Sequence, residues 1–290
     1  FERLGLGVEK HGENLIIEAP TVRRDLQIEE DLIEEAARVF GYEKIPSHLP
    51  EVALQTAYRN DEVWWEERAR DFLAGAGFIE SLLYEFTGDE ELEKFGVSAT
   101  GVIPLENPMN PETKHLVPRA MIKYVASTAS NLRNFNSIKL FGIGKSFGEK
   151  GGRVDEHKDL VLTFAQKNTA GDEEFYQLKG AVDELLEKMG IADHWYDNQQ
   201  NPKSKIQNPK LFHPYRWADI KIGNEKVGTI GEIHPAVLEN IKSKARIAAA
   251  EIDFGKLWRA ANSESEYKPV GKYPAIIRDL AVIVPSDTKT

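Results

Sequence analysis

One stretch constrains this chain more than any other. It runs from Ala19 to Pro46 and reads Ala-Pro-Thr-Val-Arg-Arg-Asp-Leu-Gln-Ile-Glu-Glu-Asp-Leu-Ile-Glu-Glu-Ala-Ala-Arg-Val-Phe-Gly-Tyr-Glu-Lys-Ile-Pro. Leu32, Ile33, Ala36, Ala37 and Phe40 recur at helical spacing and form one apolar stripe. Gly41 supplies a left-handed stop and Pro46 lies shortly beyond, so the helix has a defined end. Pro20 and the two arginines after it favour an extended approach. The opposite face carries Asp31, Glu34 and Glu35. Residues three and four apart on a helix are neighbours, so Asp31 sits beside both glutamates. Asp25 lies just upstream, where a turn can fold it over the same face. Two chemistries fit such a cluster. It can hold a hard divalent cation through oxygen ligands, with water completing the shell. Or it is a solvated acidic helix start, with Asp31 as N-cap, Glu34 as its capping-box partner and the helix dipole favouring both. The residues alone leave both open.

Composition removes several classes. Apolar residues make up 41% and charged ones 29%, which suits a chain with a real core. Its 290 residues suffice for two ordinary domains. The formal net charge of -10 argues against a generic nucleic-acid coat, so any RNA contact needs a local basic patch or a partner chain. The absence of cysteine excludes disulfides, thiolate zinc sites and a cysteine nucleophile, and is compatible with a reducing cytoplasm. No apolar run reaches the length of a membrane span, and nothing reads as a signal peptide. Phe1 and the abrupt apolar end, Leu280 to Val284, read as a chain cut at both ends.

Along the chain, helices are expected over Asp61–Gly75, Met121–Asn134 and Tyr176–Met189, and a short one opens at His234-Pro235. Strands are expected over Phe78–Phe86, Ser137–Phe147, Leu160–Ala165 and Ile247–Phe254, with Gly148 to Lys158 as a charged turn. Trp217–Ile222 and Lys226–Ile230 form a hairpin around Gly223-Asn224. The pattern is an α+β domain with a largely antiparallel sheet flanked by helices, preceded by a small N-terminal α/β domain.

The Asp25 to Tyr42 stretch resembles the fifth domain of the phenylalanyl-tRNA synthetase beta subunit. Later segments keep that family's order: Asn107-Pro-Met-Asn-Pro111, Leu116-Val-Pro-Arg-Ala-Met121, Asn131-Leu-Arg-Asn134, Lys139-Leu-Phe-Gly-Ile-Gly-Lys-Ser-Phe147, His213-Pro214, Gly228-Thr-Ile-Gly-Glu-Ile-His-Pro235 and Tyr267 to Val284. The family usually has Glu at the position of Gly142. The resemblance implies residues 1-50 as the C-terminal part of the fifth domain and 51-265 as an inactive class II synthetase-like core. Residues 266-290 would be the first strand of a truncated ferredoxin-like anticodon-binding domain. It implies magnesium held by Asp25, Asp31, Glu34 and Glu35, and Arg278 as the family-based RNA contact. It also implies a catalytic alpha subunit as partner, in a heterotetramer of two alpha and two beta chains. That assembly charges tRNA(Phe) with phenylalanine in the cytoplasm, using ATP that is not bound here.

An active class II core fixes the ATP phosphates with arginines, because charge developing in transfer needs preorganised cations. Here the strand ending at Phe147 runs into Gly148-Glu149 with no Arg-x-Glu, and no glycine-rich segment ending in Arg follows. No catalytic residue is assigned. The rival readings are a stand-alone class II-like ligase and an RNA-binding module.

Gly142-Ile-Gly-Lys-Ser146 imitates the end of a P-loop, but the required first glycine position is Lys139 and no helix follows. His213 and His234 read as structural loop residues, and the scattered Arg133, Lys139, Lys145 and Lys150 as a solvated face. Of the adjacent Trp64 and Trp65, one belongs to the core and the other to a partly exposed surface.

Overall fold

The computed structural model describes residues 1–53, 55–168, 173–197, 211–264 and 278–283. It divides into two units, Phe1–Tyr58 and Arg59–Thr290.

In the first unit, β1 (Gly7–His11) and β2 (Asn14–Glu18) form an antiparallel hairpin, followed by α1 (Glu29–Phe40). Gly12 turns the hairpin at a φ of 63°. The helix begins two residues earlier than Asp31 and reverses its expected role. Ile28 is the N-cap, and Asp31 is the N3 residue whose carboxylate reaches back to the cap. The expected apolar stripe is largely uncovered: Ile33 and Phe40 are more than half exposed. A two-stranded hairpin offers too little surface to cover a three-turn helix. The one helix residue that is buried is Glu35.

The second unit opens with α2 (Asp61–Gly75), capped by Asn60, whose side chain accepts from the Val63 N–H. Trp65, Ala69 and Leu73 bury its inner face. The expected continuous strand over Phe78–Phe86 resolves into two short pieces, β3 (Ile79–Glu80) and β4 (Phe86–Thr87). Leu82 and Tyr84 between them are over four-fifths exposed, so the apolar run does not mark a buried strand. Next come α3 (Asp89–Lys94), β5 (His115–Leu116) and α4 (Met121–Asn131). β6 (Ser137–Lys150) and β7 (Arg153–Gln166) form a long hairpin turned by Gly151 and Gly152. The charged segment from Gly148 to Lys158 is therefore mostly ladder rather than turn. Beyond lie α5 (Glu173–Lys188), β8 (His194–Asp197), β9 (Phe212–Ile222) and β10 (Glu225–Ile233). The unit closes with α6 (Pro235–Asn240), β11 (Ile247–Asp253) and α7 (Phe254–Ala260), the last having no counterpart in the sequence expectation.

Seven strands build one sheet in the order β3-β6-β7-β11-β10-β9-β8. Every neighbouring pair is antiparallel except β3 with β6. Side chains alternate between faces along each strand. On one face Phe141, Leu160, Leu162, Ala248, Ala250 and Ile252 pack with residues of α2, α5 and α7. On the other, Ile138, Leu140, Val161, Ala165, Ile247 and Ala249 pack with α4. Contact with α4 explains the departure at Gly142. A Cβ there would overlap the Tyr124 hydroxyl and lie 2.6 Å from the Ser81 carbonyl oxygen. That hydroxyl donates to the same carbonyl at 2.8 Å, which fastens the chain after β3 to the sheet.

Arg278 to Ile283 carry no regular structure and are exposed, and the rest of the expected terminal strand lies outside the described residues. No helix among the described residues is long and apolar enough to cross a membrane.

Candidate functional site

The acidic helix start places its carboxylates as follows. Asp31 Oδ2 accepts from the backbone N–H groups of Gln27 and Ile28 at 2.7 and 2.9 Å. These bonds hold its carboxyl below the usual range. Arg23 Nη2 bridges Asp25 at 2.7 Å and Glu35 at 3.0 Å, and Arg38 adds a second contact to Glu35 at 2.7 Å. Arg23 holds Asp25 low, while Arg38 followed by Arg23 does the same for Glu35. Glu34 is exposed. Asp25 and Glu35 thus share a guanidinium, and Asp31 is engaged by the helix N-terminus. Among the described residues no three His, Asp or Glu side chains converge as a metal shell requires. As placed, Arg23 and Arg38 supply the positive charge beside Asp25 and Glu35, and Asp31 faces the helix N-terminus.

A second constellation lies on the α4 face of the sheet. Pro118 precedes Arg119 and α4 begins at Met121. Arg119 Nε donates to Glu251 Oε2 on β11 at 2.8 Å, and the Met121 N–H donates to Glu251 Oε1 at 3.1 Å. On β6, Ser146 is fully buried. Its Oγ accepts from the Ala120 N–H at 2.8 Å and donates to Asp159 Oδ2 on β7. Burial, reinforced by the Glu251 carboxylate, pushes Asp159 up to about 8. Burial therefore favours the protonated form of Asp159. Deeper in, Thr128 and Thr163 share a hydrogen bond of 2.7 Å with both side chains buried. Every group here has a partner on another element, as buried polar groups require.

Reading the sequence alone missed this network. Arg119 and Glu251 lie 132 residues apart, so no spacing rule joins them. The available signals were single acids interrupting buried strands: Glu251 after Ala248-Ala-Ala250, and Asp159 before Leu160 to Ala165.

The minor candidates resolve simply. Gly142 to Ser146 is mid-strand, with no phosphate-cradling turn. His234 caps α6 through Nδ1, which accepts from the Ala236 N–H at 3.1 Å. His213 lies within β9 rather than in a loop, and its Nδ1 accepts from the Tyr215 N–H at 3.2 Å. Burial and Arg216 lower its affinity for a proton. Trp65 is core. Trp64 is stacked by the guanidinium groups of Arg59 and Arg68 at 4.2 and 4.5 Å. Lys145 is paired with Glu156 at 2.6 Å.

The sheet, with helices on both faces, superposes on a solved pyrrolysyl-tRNA synthetase from Desulfitobacterium hafniense. The TM-score is 0.54 over 68% of this chain and 67% of that one, at 16% identity, so the likeness speaks for fold alone. The fold is that of a class II aminoacyl-tRNA synthetase core. Residues 45–254 match the family model described as phenylalanyl tRNA synthetase beta chain CLM domain, and residues 1–42 match the tRNA synthetase B5 domain. The chain belongs to the phenylalanyl-tRNA synthetase beta-chain family. The phenylalanine–tRNA ligase beta subunit of Bacillus licheniformis is 33% identical over 301 residues, and that of Clostridium acetobutylicum 30% over 294. In both cases the match covers 99% of this chain and 36% of the relative, so the chain spans about 36% of the length of these relatives.

Proposed function

We propose that this chain is a structural, non-catalytic part of phenylalanine–tRNA ligase that contacts the alpha subunit, in a cytoplasmic assembly of two alpha and two beta chains charging tRNA(Phe). One observation carries the non-catalytic reading. The sheet face beside β6 presents Glu251, Asp159 and Asp253, and its arginine, Arg119, is committed to Glu251. With that guanidinium committed, the face lacks, among the described residues, the fixed cation that a triphosphate needs, and β6 passes through Gly148 and Glu149 with no arginine. Amino-acid-dependent ATP–pyrophosphate exchange tests this directly. The isolated chain should be silent, and exchange above background would favour the stand-alone ligase.

We infer that the partner surface is the sheet edge at β3 together with the segment that follows it. An edge strand with apolar side chains is a ready template for another chain. Ile79, Leu82 and Tyr84 are 60%, 86% and 83% exposed there. Light scattering after gel filtration with the cognate alpha subunit should show a complex that Leu82→Asp weakens; an unaffected complex places the interface elsewhere. The domain scheme of 1-50, 51-265 and 266-290 and the RNA role of Arg278, which is exposed, belong to the same proposal.

Magnesium at Asp25, Asp31, Glu34 and Glu35 is consistent with the family, on the condition that Arg23 first releases Asp25 and Glu35. The metal and the guanidinium then compete for the same oxygens. Arg23→Ala should bind magnesium more tightly than the parent in calorimetric titration. Equal or absent binding in both would remove the metal from the proposal.

A further inference from the structure

Three separate elements bring cations to one cavity at the C-terminal end of α4. Arg133 comes from the turn after the helix, Lys167 from the end of β7, and Lys242 and Lys244 from the segment after α6. The cavity measures about 290 Å³ and its remaining wall is Ala129, Leu132, Ser243 and Ala245. None of the four cations forms an ion pair among the described residues. Glu90, which feels the charge of Lys242, is already paired with Lys94 at 2.7 Å. The carbonyl end of a helix accounts for a nearby cation. It does not account for four that converge from three elements in a chain of net charge -10.

The backbone at Lys242 is a second observation. Its φ is 57°, in the left-handed region that non-glycine residues seldom adopt. The Lys242 N–H donates to Glu239 O at 2.9 Å and the Ser243 N–H to Leu238 O at 2.8 Å, closing the helix as a glycine cap would. A lysine stands where glycine is cheapest, and its side chain lines the cavity. Backbone strain kept at a side chain of one charge points to a use for that charge.

We propose that this cavity is an oxyanion site that takes a phosphate group. Its volume lies at the small end of ligand pockets, which begin at roughly 300 Å³. That suits one phosphate with its immediate substituents. The phosphate comes either from a free polyphosphate or from an RNA backbone, because lysine and arginine bind both through the same charge-assisted hydrogen bonds. The inference stands on charge and shape alone and does not rest on the family role proposed above.

The test titrates the chain with inorganic pyrophosphate by calorimetry and with a labelled RNA hairpin by anisotropy, each at two salt concentrations. Lys242→Gln/Lys244→Gln is compared with the parent, and Lys150→Gln, on the distant hairpin end, serves as control. Binding of either probe should weaken on the order of tenfold or more in the double variant, since each charge-assisted contact carries about that factor. It should be unchanged in the control. If the hairpin is the ligand, its log–log salt slope becomes shallower by about one for each cation removed. Pyrophosphate binding alone identifies a free phosphate as the source, and hairpin binding alone identifies RNA. Arg133→Gln provides an independent arm should the double variant fail to fold. No binding of either probe, or binding undiminished in folded variants, overturns the proposal; a fall in thermal midpoint with binding intact means the cations only cap α4.

Discussion

Replacing Asp159 with Asn removes one titratable group from the sheet face while keeping an acceptor for the Ser146 hydroxyl. Asp159 is raised to about 8, first by burial and then by Glu251, with a smaller push from Asp253 and an opposing pull from Arg119. His157 Nε2 approaches the same carboxylate at 3.5 Å from the more exposed side. In the unfolded chain an aspartate titrates near its ordinary value of about 4. Between those two values the folded state holds a proton that the unfolded state has released. The group's contribution is therefore complete below pH 4 and is lost as pH rises towards 8. The slope can reach ~1.4 kcal/mol per pH unit, so up to about 4 kcal/mol separates pH 5 from pH 8, a large share of a domain's 5–15 kcal/mol. Other titrating groups are common to parent and variant and cancel in the difference. Urea unfolding followed by tryptophan fluorescence, with Trp65 buried in this unit, gives the two stabilities at half-unit steps of pH. The stability of Asp159→Asn relative to the parent should climb steadily from pH 5 to 8 and then level off. A flat difference would mean that Asp159 is ionised throughout.

Other outcomes follow from single contacts. Gly142→Ala drives a methyl group into the Tyr124 hydroxyl and should cost about 1–3 kcal/mol, checked by denaturant midpoint. Gly142→Glu, the residue usual in the family, should be worse in this background unless Tyr124 is also made smaller. Asp31→Ala removes acceptors from two N–H groups and should lower the stability of α1 by about 1 kcal/mol, seen as faster amide exchange in residues 27–31. Thr128→Val leaves the buried Thr163 hydroxyl without its side-chain partner and should cost roughly 1–3 kcal/mol, whereas the double change to Val at both positions should recover part of that loss.

Legibility in the sequence tracked how local each determinant is. The bounds of α2 were readable because apolar residues including Val63, Trp64, Ala69, Phe72 and Leu73 and a terminal glycine all lie within fifteen residues. The β9–β10 hairpin was readable from Gly223-Asn224. The continuous strand expected over Phe78–Phe86 is interrupted because Leu82 and Tyr84, though apolar, face outwards. Helix α7 was missed because seven residues give too few turns to establish a period. At the acidic helix, composition revealed the carboxylates but not their engagement. Arg23 reaches Glu35 across twelve residues, and Asp31 turns to the backbone rather than outwards. The cavity at the end of α4 was not in view, since Arg133 read as part of a solvated face. Its companions come from β7 and from the segment after α6, which only the tertiary fold brings near.

The β6–β7 hairpin grades its own lifetime along its length. From Ser137 to Ile143 it is locked between neighbours: β7 is paired to β11 over Asp159–Ala165, and β6 to β3 at Leu140 and Phe141. Beyond Phe147, whose N–H still donates to the Val117 carbonyl at 3.0 Å, the two strands from Gly148 to Lys150 and back to Asp155 pair only with each other. A free two-stranded ribbon is marginal in water. Opening it needs none of the core to separate, so its amides answer to a local equilibrium instead of the global one. Hydrogen exchange along one continuous strand should therefore run from global-unfolding rates at Leu140 to rates orders of magnitude faster at Glu149, with the boundary falling just beyond Phe147.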